Sequence, residues 1–201
     1  MRVLYVFALL GTLLLTGCAG NPMTPVADQT LPAAAPDMAQ VVFMRDAFTG
    51  KAITSSLYDV TDGKTQFIGV MANGTKIAHP VTAGKHTFMV VSEAADFMEA
   101  DLVAGKTYYA LVTPRMGFWK ARFSLWPVSN DPDASHSLKS KNFQGWVEDT
   151  DLVTNSPKSL AWYERVKASV EKNVPSTGRY GRKRAPKLLP NAPSSLAMAC
   201  K

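Results

Sequence analysis

From Ala39 to Val128 the apolar positions gather into short runs separated by turn signals: AQVVFMRD, ITSSLYDV, TQFIGV, TKIAHP, HTFMVVS, FMEADLV, TYYALVTP and FWKARFSLWPV. β-Branched and aromatic residues dominate these runs, as suits pleated, half-buried surfaces. Eight short strands at this spacing predict a mainly β fold, an antiparallel β-sandwich of immunoglobulin-like or transthyretin-like type, rather than alternating β and α units. Side chains alternate along a strand, so Val41 and Phe43 share one face of the first run and Val42 and Met44 the other. Both faces are apolar, so that strand is expected to be central or covered on both sides. Thr61-Asp62-Gly63-Lys64 reads as a turn, and Asn73-Gly74 as a hairpin turn into TKIAHP. Two other turns look alike: Val81-Thr82-Ala83-Gly84-Lys85-His86-Thr87-Phe88 parallels Leu102-Val103-Ala104-Gly105-Lys106-Thr107-Tyr108-Tyr109. In each, Gly supplies positive φ and Lys keeps the tip in water, which is reused turn chemistry and not a repeat architecture.

The flanks read differently. Residues 130–149, NDPDASHSLKSKNFQGWVED, are polar and are expected as a loop pinned to the core by Phe143 and Trp146. Ser156-Pro157 reads as N-cap and first helical position. Leu160, Tyr163, Val166 and Val170 then form an apolar stripe over 157–172, a core-packing face, and Pro175 ends the helix. Residues 19–38 hold four prolines and several alanines without an apolar period. They read as a tether spanning on the order of 25 Å if flexible, the alternative being an ordered arm packed on the domain. The expected organisation is a signal segment at 1–17, an anchor and tether at 18–38, a β-sandwich with its polar loop at 39–155, an amphipathic helix at 156–173, and a basic tail without regular structure at 174–201.

The amino terminus, MRVLYVFALLGTLLLTG, places one charge, Arg2, before an apolar run from Val3 to Leu15. A membrane-spanning helix needs about 20 apolar residues; a shorter run behind a basic residue suits an export signal. Leu15-Thr16-Gly17-Cys18 resembles the lipobox of bacterial lipoproteins, residue for residue. The resemblance implies a diacylglycerol on the Cys18 thiol, cleavage before Cys18 and acylation of the new amino terminus. Several acyl chains exceed the two signals that stable anchoring needs. In lipoproteins of this type an Asp after the cysteine tends to retain the protein at the inner membrane. Ala19 stands there, which favours a cell-envelope location at the outer membrane, facing the periplasm. Cys200, the second cysteine, reads as an inert thiol next to the terminus or as an intermolecular partner.

Charge is unevenly spread. Residues 19–157 carry eleven Lys/Arg against fourteen Asp/Glu, and residues 158–201 ten against two, a net of +8 in the second stretch within a chain of +6. The densest part holds Arg179, Arg182, Lys183, Arg184 and Lys187. Export makes nucleic acid a poor partner. Anionic phospholipid, peptidoglycan carboxylates or an acidic envelope protein remain as partners for these five residues, and a solvated tail is the equal alternative.

Val42-Phe43-Met44-Arg45, Ile68-Gly69-Val70 with Asn73-Gly74, Ala83-Gly84-Lys85-His86-Thr87 and Ala104-Gly105-Lys106-Thr107-Tyr108-Tyr109 together resemble the bacterial lipoprotein family of domain of unknown function 2846, over 39–112. The resemblance implies a small β-sandwich on a lipid anchor and brings no catalytic residues with it. The basic tail lies outside it.

Candidate chemistry is sparse. Gly105-Lys106-Thr107 lacks the earlier glycine and the strand-to-helix junction of a phosphate-binding loop, and Gly69 to Gly74 has Thr75 where Lys is required. His79 and His86 could meet across a hairpin, but two imidazoles without a cysteine or placed carboxylate make a weak metal site, so these and His136 read as structural or surface residues. Glu148, Asp149 and Asp151 read as a solvated cluster. No catalytic residue, metal or cofactor is assigned. The leading reading is a lipid-anchored, non-enzymatic structural or interaction module; the alternatives are an envelope hydrolase acting on cell-wall material and a binding module for a small envelope ligand.

Overall fold

The computed structural model describes residues 20–115 and 122–172, and the backbone of residues 187–188. The strands are β1 (Thr24–Pro25), β2 (Met38–Arg45), β3 (Ser55–Asp59), β4 (Gln66–Met71), β5 (Thr75–Thr82), β6 (Gly84–Val91), β7 (Ala95–Leu102), β8 (Thr107–Arg115), β9 (Arg122–Pro127), β10 (Asp151–Thr154) and β11 (Lys187–Leu188). The helices are α1 (Lys141–Glu148) and α2 (Pro157–Glu171). One sheet has the order β1-β10-β5-β2-β8-β9 and the other β11-β7-β6-β3-β4. They face each other as a β-sandwich. Most pairings are antiparallel, but β2–β8, β5–β10 and β7–β11 are parallel.

β2 is central, between β5 and β8. Its alternation divides as expected: Val41 and Phe43 enter the core between the sheets, and Val42 and Met44 enter a second cluster on the outer face. The hairpin β3–β4 closes on the Thr61–Gly63 turn, where Asp62 and Gly63 both take positive φ. Asn73-Gly74 is not a hairpin turn: it carries the chain from β4 in one sheet to β5 in the other. The Gly74 amide donates to the Arg45 carbonyl and Asn73 Oδ1 accepts from the Ala47 amide, so the turn is tied to the end of β2 instead of the strand it leaves. The two Ala-Gly-Lys turns share a role that explains their likeness. One takes β5 to β6, the other β7 to β8, and both cross between sheets, with Gly84 at φ 125° and Gly105 at φ 70°.

Three expectations are corrected. The tether is instead an arm on the fold: Met23 is 5% exposed within the inter-sheet core, and β1 pairs with β10. Gln29 bonds both the amide and the carbonyl of Leu152, and Gln40 Nε2 donates to the Pro32 carbonyl at 2.8 Å. Proline suits such an edge, because it lacks the amide an edge strand leaves unpaired and has less backbone freedom to lose. The polar loop contains α1, which buries Phe143 and Val147, an i,i+4 pair, on the outer cluster of Val42, Met44 and Leu111. The stripe of the last helix is displaced: Tyr163 and Val170 are buried and Val166 partly so, but Leu160 is 49% exposed, and Ser159 and Trp162 face inward in its place. α1 and α2 thus cover opposite outer faces of the sandwich.

Candidate functional site

α2 starts where Ser156-Pro157 predicts. Ser156 Oγ accepts from the amides of Lys158 and Ser159, and Ser159 Oγ accepts from the Ser156 amide, closing a capping box. Below it, Tyr163 stacks on Phe67 at 4.7 Å and 5°, and Trp162 lies 6.1 Å from the same ring. Burial pushes the Tyr58 phenol, under this stack, up to about 12. These rings prop α2 on the sheet near its middle. Further along the helix a cleft of about 370 Å³ opens between α2 and the ends of β3, β4 and β6. Trp162, Val166 and Val170 form one wall, and Val70 and Val91 the other; Ser56, Ser92 and Glu93 add polar groups. The lining of this open cleft is mainly apolar, with a few hydroxyls and one carboxylate.

The arm reaches the same helix from the other end. Ser156 Oγ donates to the Pro22 carbonyl at 2.5 Å, and Asn155 Nδ2 donates to the Ile68 carbonyl at 3.0 Å. The chain leading back to Cys18 therefore leaves the fold beside the first turn of α2.

The second cluster of chemistry sits at the β5–β6 crossing. His86 Nδ1 is 2.8 Å from Asp59 Oδ2, and Thr61 Oγ1 donates to Asp59 Oδ1 at 2.5 Å. On the far side of the ring, His86 Nε2 is 3.0 Å from the Thr82 carbonyl. Two acceptors on two ring nitrogens favour the doubly protonated imidazolium, and the Asp59 hydrogen bond raises the His86 pKa against the opposing effect of burial. Burial pushes the Asp59 carboxyl up, but hydrogen bonds from His86 and Thr61 outweigh it and hold the group below its usual range. With both nitrogens engaged, His86 is a tie between β3 and the crossover and not a poised base. The sequence suggested His79 as its companion; the companion is Asp59. Burial pulls the His79 pKa down; its ring meets Phe88 edge-on, and Phe88 is stacked on His86.

Arg45, at the end of β2, is fully buried. Its guanidinium donates to the carbonyls of Ile53, Met71 and Gly50 at 2.6, 3.1 and 2.7 Å and lies 4.4 Å from the centre of the Phe123 ring. Burial pulls its pKa down to about 10. It fastens the β2–β3 loop, whose Phe48 stands 93% exposed. The one charge ending an apolar strand, VVFMR, was the signal for this residue. Lys76 is likewise buried, and its Nζ donates to the carbonyls of Val147 and Thr150 at the end of α1.

Cys18, Arg179, Arg182, Lys183, Arg184 and Cys200 lie outside the described residues. Lys187 differs from expectation: with Leu188 it pairs parallel to β7, opposite Glu99, so regular structure reaches into the span expected to lack it. Among the described residues no group of three or more His, Cys, Asp or Glu is placed to hold a metal, and no helix is long and apolar enough to cross a membrane. No family model matches the chain, and neither a curated protein nor a solved structure matches it.

Proposed function

We propose that this protein is a lipid-anchored cell-envelope protein, held at the outer membrane facing the periplasm, whose β-sandwich serves as a non-enzymatic structural or interaction module. The observation that carries this reading is Leu15-Thr16-Gly17-Cys18 standing immediately before a folded arm. The resemblance to lipoproteins of the domain of unknown function 2846 family belongs to the same reading. The basic residues Arg179, Arg182, Lys183, Arg184 and Lys187 supplement the anchor by binding anionic envelope surfaces, at about 1 kcal/mol for each cation near a charged bilayer.

Cys18→Ala tests the anchor. The expected result is loss of metabolic lipid labelling and accumulation of uncleaved precursor; a variant processed and membrane-bound like the parent overturns it. The tail is tested with a soluble form beginning at Gly20, so that the arm stays on the fold, with and without the five cations changed to Gln. Sedimentation with anionic vesicles and with purified peptidoglycan is expected to fall in the Gln variant, and in the parent at high salt, because exposed charges are screened over about 10 Å at 0.1 M. Equal sedimentation of the two forms refutes the tail's role.

The cleft beside α2 favours a second reading, a binding module for a small envelope ligand of amphipathic character. Val166→Trp would fill the cleft; calorimetric titration with soluble envelope fragments, expected to give heat with the parent and none with the variant, decides it.

A further inference from the structure

The β2–β3 loop, residues 46–54, holds an aromatic side chain in solvent and fixes it there. Phe48 is 93% exposed, and no other large apolar residue among the described ones exceeds 49%. This is not the exposure of a slack loop. Arg45, fully buried, donates to the carbonyls of Gly50 and Ile53 at 2.7 and 2.6 Å. The Ala47 amide donates to Asn73 Oδ1 at 2.9 Å, and the Ile53 amide to the Gly50 carbonyl at 3.1 Å. The chain is thus tied at 47, 50 and 53, on both sides of Phe48. Lys51, also exposed, has its Nζ 5.7 Å from the centre of the Phe48 ring. An ammonium and an aromatic ring are therefore presented together from a fixed base.

The same loop ends at a socket. Thr54, its last residue, lines the cleft between α2 and the ends of β3, β4 and β6. The valines and Trp162 make the cleft walls apolar, and Glu93 is the one charged residue of its described lining. About 150 Å³ of apolar cavity takes a benzene ring. At about 370 Å³ the cleft has room for a phenylalanine ring and the stem of a neighbouring lysine. A carboxylate has acceptor sites for more than one donor, so Glu93 can receive that lysine's ammonium whatever else it bonds. The molecule carries a plug of ring and cation and a socket of apolar walls and carboxylate. They are not joined within one copy, since Phe48 stays in solvent. Plug and socket adjoin through Ile53 and Thr54, both exposed, so they share one rim of the sandwich. Two copies meeting rim to rim can exchange them reciprocally, which closes as a two-fold pair.

We propose that this rim is a self-association surface, in which Phe48 of each copy enters the cleft of a second copy with Lys51 against Glu93. The occupant is a second copy because the chain itself supplies the ring and the opposite charge that the cleft complements. This goes beyond the anchor reading and does not depend on lipid at Cys18. It gives the cleft an occupant different from the small ligand of the second reading.

The test co-expresses two full-length forms with different affinity tags, both carrying Cys200→Ser, in one bacterial strain. One has Thr49→Cys beside the plug, the other Ser92→Cys in the socket, and a flexible, permeant bis-maleimide is added to the cells. The expected result is a cross-linked pair bearing both tags that forms only when both cysteines are present. Phe48→Ser in the Thr49→Cys form should reduce that pair several-fold, and at 93% exposure this change does not act by unfolding the domain. Lys51→Glu in the same form should also reduce it, and Glu93→Lys in the Ser92→Cys form should then restore it. A mixed pair that forms equally with Phe48→Ser, or a loss through Lys51→Glu that Glu93→Lys does not restore, overturns the plug-and-socket contact. Absence of any mixed pair overturns self-association, and heat from envelope fragments in the titration above then assigns the cleft to a small ligand.

Discussion

The two outer faces of the sandwich are covered in opposite ways. Over β2 and β8 the cover is made of irregular pieces: α1, the segment leading into it, and Leu31 of the arm, all packed on Val42, Met44 and Leu111. Polar stitches fix it, with Lys76 reaching the carbonyls at the end of α1 and Gln40 holding Pro32. Over β3 and β6 the cover is one straight helix propped on Phe67 and Tyr58. A twisted sheet and a straight cylinder diverge away from their line of contact. Short segments can follow the twist, whereas α2 leaves the cleft beside Val166 and Val170. The conforming face is closely covered, and the open one leaves a cleft beside its helix.

The largest expected effect tests the conforming face. Phe143 is 5% exposed and meets Tyr109 edge-on at 5.0 Å. Phe143→Ala should cost about 3–5 kcal/mol in denaturant unfolding, the range for a buried aromatic truncated in a core. A cost under 1 kcal/mol would mean that α1 is a loose cover. The arm is tested next. Met23→Ala is expected to cost about 2–5 kcal/mol, whereas a free tether would give no change. Gly69 sets the space for that methionine, since a Cβ there would come within 2.8 Å of both Ile77 and Met23.

The contrast also separates what was legible from what was not. β2 could be read fully, because two apolar faces in alternation leave few placements for a strand. α2 could be read to its first residue, because Ser156-Pro157 is a strong local start signal. Its inward face was displaced because the turn rule weighs apolar residues, whereas Ser159 is buried by its capping bond and Leu160 is left outside. α1 was hidden by composition: the Phe143–Val147 spacing is there, but Gly145 and the polar neighbours mask it. The arm was hidden for a related reason, since proline and alanine serve a linker and an edge equally well, and only Met23 and Gln29 tell them apart. Turns specify local geometry and not destination, so Asn73-Gly74 could not say which sheet its second strand joins. The Asp59–His86 tie joins strands distant in sequence, and no spacing rule reaches it.

A smaller effect concerns pH at the crossing that joins the sheets. The His86 pKa is raised by its hydrogen bond to Asp59, so its contribution is complete below the usual 6.5 and is lost as pH rises through the higher folded value. The Asp59 pKa is lowered, so its contribution is present above the usual 3.8 and is lost as pH falls through the lower folded value. Between about 3.8 and 6.5 the tie is whole. His86→Gln should cost about 1.5–3 kcal/mol in that window, the worth of a hydrogen bond to a charged group, and the cost should shrink above it. Burial of His79 acts with the opposite sign, favouring the fold as pH rises, but it is present in parent and variant alike and largely drops out of the difference. A difference in stability independent of pH from 5 to 9 would mean that the pair is not ionised.

Leu160→Ser gives the smallest change in stability and the sharpest contrast between the faces. Leu160 and Phe143 are both apolar helix residues, but one is 49% exposed and the other 5%. Truncating the exposed residue removes little area from contact, and α2 keeps its capping box and its seat on Phe67, so unfolding should shift by no more than about 0.5 kcal/mol. Exposed leucine on a helix committed elsewhere is costly to keep in water, and serine there is a gain in solubility. If the residue is only an exposed position on the helix, Leu160→Ser is silent in unfolding. A loss of stability above 1 kcal/mol would instead place Leu160 in the core.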